Sequence, residues 1–238
     1  MKNRMKTTAF VMAIALAGFG ISSCNLGTAG TGNDQGTTTG GQNTTTGGSG
    51  TMGQQSWTKE SVKNHVKSWK GTPKEAATAM IDKYGVPDEV TNYRLVWHNK
   101  GDFAMTMVTN EEIEHNFPMP HKDCLLQSVN YEVPVEKFTD IAKYDGSVVT
   151  ERTKGTMAAR CDKEAANYLA LNLANDVAQG KRSVEDARSF YAQSIVSLMK
   201  GEKSDYTQKL MFQTKKNAGD SDQPNIDKKV LDELMGKK

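Results

Sequence analysis

This sequence has few cysteines and prolines, no charge excess, and no apolar run long enough to cross a membrane. Three cysteines and six prolines in 238 residues cannot build the dense disulfide framework of a small secreted scaffold. The apolar run near the N-terminus, Thr7 to Ile21, has 15 residues, short of the roughly 20 that a spanning helix needs. Lysine and arginine total 30 against 28 acids, and no basic block stands out. The surface therefore lacks the positive excess that neutralises phosphates, and no nucleic-acid partner is expected. Residues 57–238 hold no G-x-S-x-G, H-E-x-x-H or Walker pattern, which removes the commonest signatures of hydrolases and nucleotide-binding loops. Gly48-Ser49-Gly50-Thr51-Met52-Gly53 fits G-x-G-x-x-G, but no strand precedes it and no apolar helix follows directly.

The N-terminus is more informative. Lys2, Arg4 and Lys6 flank the short apolar run, the layout of a secretory signal. The run ends in Ile21-Ser22-Ser23-Cys24, which resembles the lipobox of bacterial lipoproteins. That resemblance implies a signal peptide over 1–23, cleavage before Cys24, a thioether-linked diacylglycerol on Cys24, and acylation of the new N-terminus. Several acyl chains at about 0.8 kcal/mol per buried methylene hold a protein durably at a membrane. Cleavage removes three bases and no acid, leaving a chain near neutrality. Asn25 follows the lipidated cysteine. In lipoproteins of enteric bacteria an aspartate there means inner-membrane retention, so the resemblance implies the outer membrane, facing the periplasm. Residues 24–56 are rich in glycine, threonine, asparagine and glutamine, with Asp34 the single charge after Cys24. Such a tract has no apolar surface to offset its ordering entropy. It is expected to be a flexible tether reaching roughly 30 Å.

Residues 57–238 are expected to form a single α+β domain, with a soft division near 145–160. N-terminal helices come first: Trp57–Trp69, then a helix opened by a capping box at Thr72-Pro73-Lys74-Glu75 and closed by Gly85. A small antiparallel hairpin follows. Tyr93, Leu95 and Trp97 alternate, Asn99-Lys100-Gly101 turns, and Phe103, Met105 and Met107 alternate back. Leu126–Val133 adds a strand, and Pro134–Tyr144 reads as a helix with Val135, Phe138, Ile141 and Ala142 inward. The C-terminal half is helix-rich. Cys161–Gln179, Gly180 and a helix capped by Ser183 make an αα-hairpin. Tyr206–Thr214 reads as a strand, and a last amphipathic helix follows Pro224. Aromatics spread from Trp57 to Tyr131 are expected in the core. The segment Lys70–Val108, with its capped helix, Gly85-Val86-Pro87-Asp88 and tryptophan-bearing hairpin, resembles small outer-membrane lipoproteins of the SmpA/OmlA (BamE-like) type. About forty residues carry that likeness, and no functional residue is transferred from it.

One stretch concentrates chemistry. Glu114-His115-Asn116-Phe117-Pro118-Met119-Pro120-His121-Lys122-Asp123-Cys124 puts histidines and a thiol in a proline-stiffened segment. Zinc takes three or four ligands from histidine, cysteinate and carboxylate. Glu111, His115, His121 and Cys124 are the candidates, with Glu111 and His115 at i, i+4 on a short helix and His121 and Cys124 across a turn. H-x₅-H-x₂-C matches no strong zinc spacing. A Cys124 nucleophile with His121 as base lacks any marked oxyanion hole. His65 and His98 read as a helix-face and a turn residue. In an oxidising compartment Cys124 and Cys161 are instead candidates for a disulfide, worth about 4 kcal/mol on the chain-entropy model.

Three functions remain open. The first is a non-catalytic, lipid-anchored module that binds or helps assemble another envelope protein, with no catalytic residue and no cofactor. The second is a metal-dependent envelope protein or enzyme using the Glu111–Cys124 region. The third is a small-molecule binder between hairpin and helices.

Overall fold

The computed structural model describes residues 56–215, 220 and 222–236. The signal segment, the lipobox with Cys24 and nearly all of the tether lie outside the described residues. Residues 53–238 form one compact unit. It is α+β, built on a six-stranded antiparallel sheet of order β1-β2-β3-β4-β6-β5. The strands are β1 (Glu89–Val90), β2 (Arg94–Lys100), β3 (Phe103–His115), β4 (His121–Asn130), β5 (Val148–Glu151) and β6 (Thr156–Cys161). The helices are α1 (Lys59–His65), α2 (Gly71–Tyr84), α3 (Phe138–Tyr144), α4 (Glu164–Ala178), α5 (Val184–Met199) and α6 (Lys228–Leu234). No helix among the described residues is long and apolar enough to cross a membrane.

The expected hairpin is formed by β2 and β3, which pair from Arg94↔Thr109 to Lys100↔Phe103. The turn works because Asn99 and Gly101 take positive φ of 53° and 58°, a region open to asparagine and glycine. Strand alternation puts Leu95, Trp97, Val108, Leu125, Val129, Met157 and Ala159 on one face. All seven are buried. Two apolar clusters cover that face. Val62, Val66, Trp69, Ala77 and Ile81 of the N-terminal helices meet Leu95, Trp97 and Leu125. Leu169, Leu173 and Val177 of α4 meet Val129, Met157 and Ala159. Burying leucines such as Leu169, Leu171 and Leu173, all at 0% exposure, contributes roughly 1.5–3 kcal/mol each.

A polar seam joins the two clusters. Gln127 Nε2 donates to Thr106 Oγ1 at 3.2 Å and to Glu164 Oε2 at 2.8 Å, and Asn167 Nδ2 donates to Gln127 Oε1 at 3.1 Å. Tyr84 and Lys83 also bind the Glu164 carboxylate, which meets the rule that buried charge must be partnered.

Several expectations are corrected. The capping box at Thr72 does not form. The helix opens at Gly71 without a side-chain cap from Lys70, and Glu112 of β3 accepts from Thr72 N at 3.1 Å instead. Gly71 has φ +55°, and a Cβ there would meet Glu112 Oε1 at 2.5 Å. The helix expected from Cys161 begins at Glu164, because Cys161 ends β6. β5 and β6 carry too little alternation to be legible beforehand, and they complete the sheet within the region of the expected soft division. The stretch 206–214 is not a strand: Asp205–Thr207 is a 3-10 turn. Asn172 donates to the carbonyls of Tyr206 and Lys209 and accepts from Met211 N. Those backbone groups are therefore satisfied by a side chain rather than a ladder. Tyr93 and Val135 are exposed rather than inward, and so is Ala142. The αα-hairpin is present as α4 and α5, with Ser183 Oγ accepting from Asp186 N at 3.1 Å.

Candidate metal centre

The end of the β3–β4 hairpin brings two histidines together. The register pairs His115 with His121, and their ring centroids lie 4.9 Å apart. Glu111–His115 is therefore strand, not the short helix that the i, i+4 spacing suggested. Residues two apart on a strand share a face, so Asp123 joins His121. The link between α3 and β5 closes the site with Asp145 and Ser147, and β6 supplies Cys161.

Asp123 is 0% exposed. Ser147 Oγ donates to its Oδ2 at 2.5 Å. His115 Nδ1 lies 3.2 Å from the same oxygen and 3.3 Å from Ser147 Oγ. His115 Nε2 is 3.6 Å from Asp145 Oδ1. His121 Nε2 is 3.0 Å from Asp123 Oδ1 and 3.4 Å from Cys161 Sγ. The pair His121–Asp123 is close enough for an ion pair but not aligned as a hydrogen bond, which leaves Asp123 Oδ1 buried without a hydrogen-bond partner.

The tautomer of His121 follows from its other nitrogen. Nδ1 is 2.8 Å from the carbonyl oxygen of Met119. A carbonyl only accepts, so Nδ1 carries the hydrogen, and the Nε2 of neutral His121 offers a lone pair. That lone pair, a carboxylate oxygen and a sulfur then crowd one small space. Three such atoms repel one another unless a positive charge sits among them, either a proton or a metal cation. The demand shows in the acid–base balance: the Asp123 carboxylate, and after it the Cys161 sulfur, push His121 up to about 11. Burial pushes Asp145 up and pushes the Cys161 thiol up against the opposing pull of His121.

Donor atoms of His115, His121 and Asp123 lie within 4.8 Å of one another. Tetrahedral zinc with bonds of 2.0–2.3 Å has ligand-to-ligand edges of about 3.3–3.8 Å, so small side-chain adjustments admit the ion. The Nδ1–H of His121 on a backbone carbonyl and the Ser147 hydroxyl on Asp123 are the outer contacts that orient metal ligands. Cys161 is not one of the three. It stands at the wall between this centre and an apolar cavity of about 450 Å³.

Of the residues singled out from sequence, His115 and His121 converge and the other two do not. Glu111 is exposed on β3. Cys124 is 1% exposed in the cluster under the N-terminal helices, where burial pushes its thiol up to about 12. Nor is Cys124 bonded to Cys161: both are free, and the register sets Leu125, not Cys124, opposite Cys161. Glu114 is held outside the centre by Lys122. Asp123, Asp145 and Ser147 are not among the residues singled out from sequence, and Cys161 is singled out only as a disulfide partner. Strand alternation through His121-Lys122-Asp123 could have found the first, whereas the others needed the β4–β6 and β5–β6 pairings.

A cysteine–histidine relay is not formed. Such a relay uses one imidazole nitrogen for the nucleophile and the other for the orienting acid. Here Cys161 and Asp123 both face Nε2. No family model matches this chain, and neither a curated protein nor a solved structure is similar to it.

Proposed function

We propose that this chain is a lipid-anchored envelope protein whose folded body binds a zinc-class divalent ion through His115, His121 and Asp123. The observation that carries the reading is the fully buried Asp123 carboxylate, whose Oδ1 has no hydrogen bond and lies 3.0 Å from His121 Nε2 while its Oδ2 lies 3.2 Å from His115 Nδ1. Two imidazoles and one carboxylate suit zinc and its neighbours. Three protein ligands with an open side are the arrangement of sites that exchange a fourth ligand. Of the three, His121 also lines the apolar cavity, beside Cys161. The anchor and outer-membrane location rest on the lipobox at Ile21–Cys24 and on Asn25.

Cobalt(II) titration tests the metal reading through geometry. A site of this kind gives the intense visible bands of a low-symmetry four-coordinate ion, absent in Asp123→Asn. A weak six-coordinate spectrum unchanged by that substitution would sink it.

The adaptor reading keeps one observation of its own. Val230 and Leu234 lie four apart on α6 and Ile226 stands just before it, all exposed, and a tethered body with such an apolar end suits capture of an envelope partner. In-cell crosslinking through α6 tests it, and recovery of only bulk membrane protein counts against it.

A further inference from the structure

The cavity beside the metal centre has two unlike ends. Tyr191, Ile195, Leu198 and Met199 of α5 form an apolar wall, and Pro118 and Met119 of the β3–β4 loop face it. His121, Cys161, Asp162 and Lys163 form the polar end. The polar end has two features that favour an anion. The first is His121, the metal ligand that lines the cavity. The second is the first turn of the 15-residue helix α4, which has no side-chain cap, while Ala165 of that turn lines the cavity. The Lys163 ammonium lies 2.9 Å from Asp162 and cancels that carboxylate, so the pair adds no net charge. Uncapped first-turn N–H groups attract carboxylates and phosphates. The volume of about 450 Å³ falls within the roughly 300–1,000 Å³ of small-molecule sites. At about 30 Å³ per water-sized group, it holds on the order of fifteen non-hydrogen atoms.

We propose that this cavity binds a medium-chain aliphatic carboxylate, with its carboxylate on the metal's open position beside Cys161 and its chain along the α5 wall. This rests on the metal reading above. A free fatty acid and the acyl end of a longer acid share that chemistry. A neutral alcohol of equal length does not, because it lacks the charge that the metal and the α4 first turn attract. The ligand's chain meets side chains that are apolar and partly open, so chain length and head-group charge both count towards affinity.

The test is isothermal titration of dodecanoate into the chain from residue 24 onward, bearing Cys24→Ser, with zinc content measured on the same sample. The zinc-loaded protein is expected to bind dodecanoate at least tenfold more tightly than it binds dodecanol or butyrate. Removing zinc is expected to weaken dodecanoate at least tenfold. Ile195→Trp, which fills the cavity away from the metal ligands, is expected to abolish dodecanoate binding while keeping zinc and the far-ultraviolet circular dichroism. A zinc-loaded protein that ignores dodecanoate, or binds dodecanol equally well, overturns this inference and leaves the metal centre standing. So does Ile195→Trp that retains zinc and binds dodecanoate as tightly as the parent. A protein that holds no zinc overturns the metal centre and the carboxylate role together.

Discussion

Asp123 has no exposed surface, two histidines within ion-pair distance and one oxygen that no hydrogen bond reaches. A carboxylate so placed costs several kcal/mol unless positive charge accompanies it, which makes it the residue on which the site turns. The cysteines give the first prediction at this scale. Alkylation of the denatured, unreduced chain from residue 24 onward is expected to label both Cys124 and Cys161, and recovery of a peptide joining them would contradict the structure. Cys124→Ser is expected to leave zinc affinity unchanged, because that thiol is packed under α1 and α2. The segment that carries the centre was legible as a chemical hot spot, since histidines and prolines crowd it. Its partners were not. Asp123 is hidden when His121–Cys124 is read as a turn, whereas those residues open strand β4, and Cys161 lies forty residues beyond His121, joined to the site only by strand pairing.

At the scale of elements, α4 organises the C-terminal half. Its buried face carries polar as well as apolar side chains. Asn167 binds the carbonyl of Leu125, Asn172 binds the segment 206–211, Asn175 accepts from Tyr131, and Asp176 meets Arg182 and Tyr206. Asn167 thereby ties α4 to strand β4, and Asn172 ties it to a segment outside the sheet. Asn172→Ala strands two carbonyls and one N–H, and is expected to cost about 2–4 kcal/mol in urea unfolding. Proteolysis within 205–212 should rise in parallel. A change under about 0.5 kcal/mol, the ordinary surface effect, would show that Asn172 does not hold that segment. The helices and the β2–β3 hairpin were readable from periodicity because each is long, punctuated and amphipathic. β5 has only four residues and β6 six, and such short runs offer too few alternations to distinguish strand from loop.

At the scale of the whole molecule, the body and the N-terminal signals make separate demands. The proposed function puts acyl chains on Cys24 through the lipobox Ile21–Cys24. Cys24→Ala is expected to abolish metabolic labelling with a fatty acid and to leave the unprocessed precursor. Labelling that survives the substitution would remove the anchor from the account. Fold class was legible at this scale because capped helices and an alternating hairpin sit side by side in one stretch of ordinary domain length. The order of strands was not, since β6 enters between β4 and β5 and no local signal records that neighbour.

Zinc equilibrium dialysis of the reduced chain from residue 24 onward bearing Cys24→Ser, alongside the same chain with Asp123→Asn, tests the central claim most directly. The account predicts one tightly held zinc per chain and at least a hundredfold loss of affinity in Asp123→Asn, with circular dichroism unchanged. Equal, weak binding by both chains would contradict it.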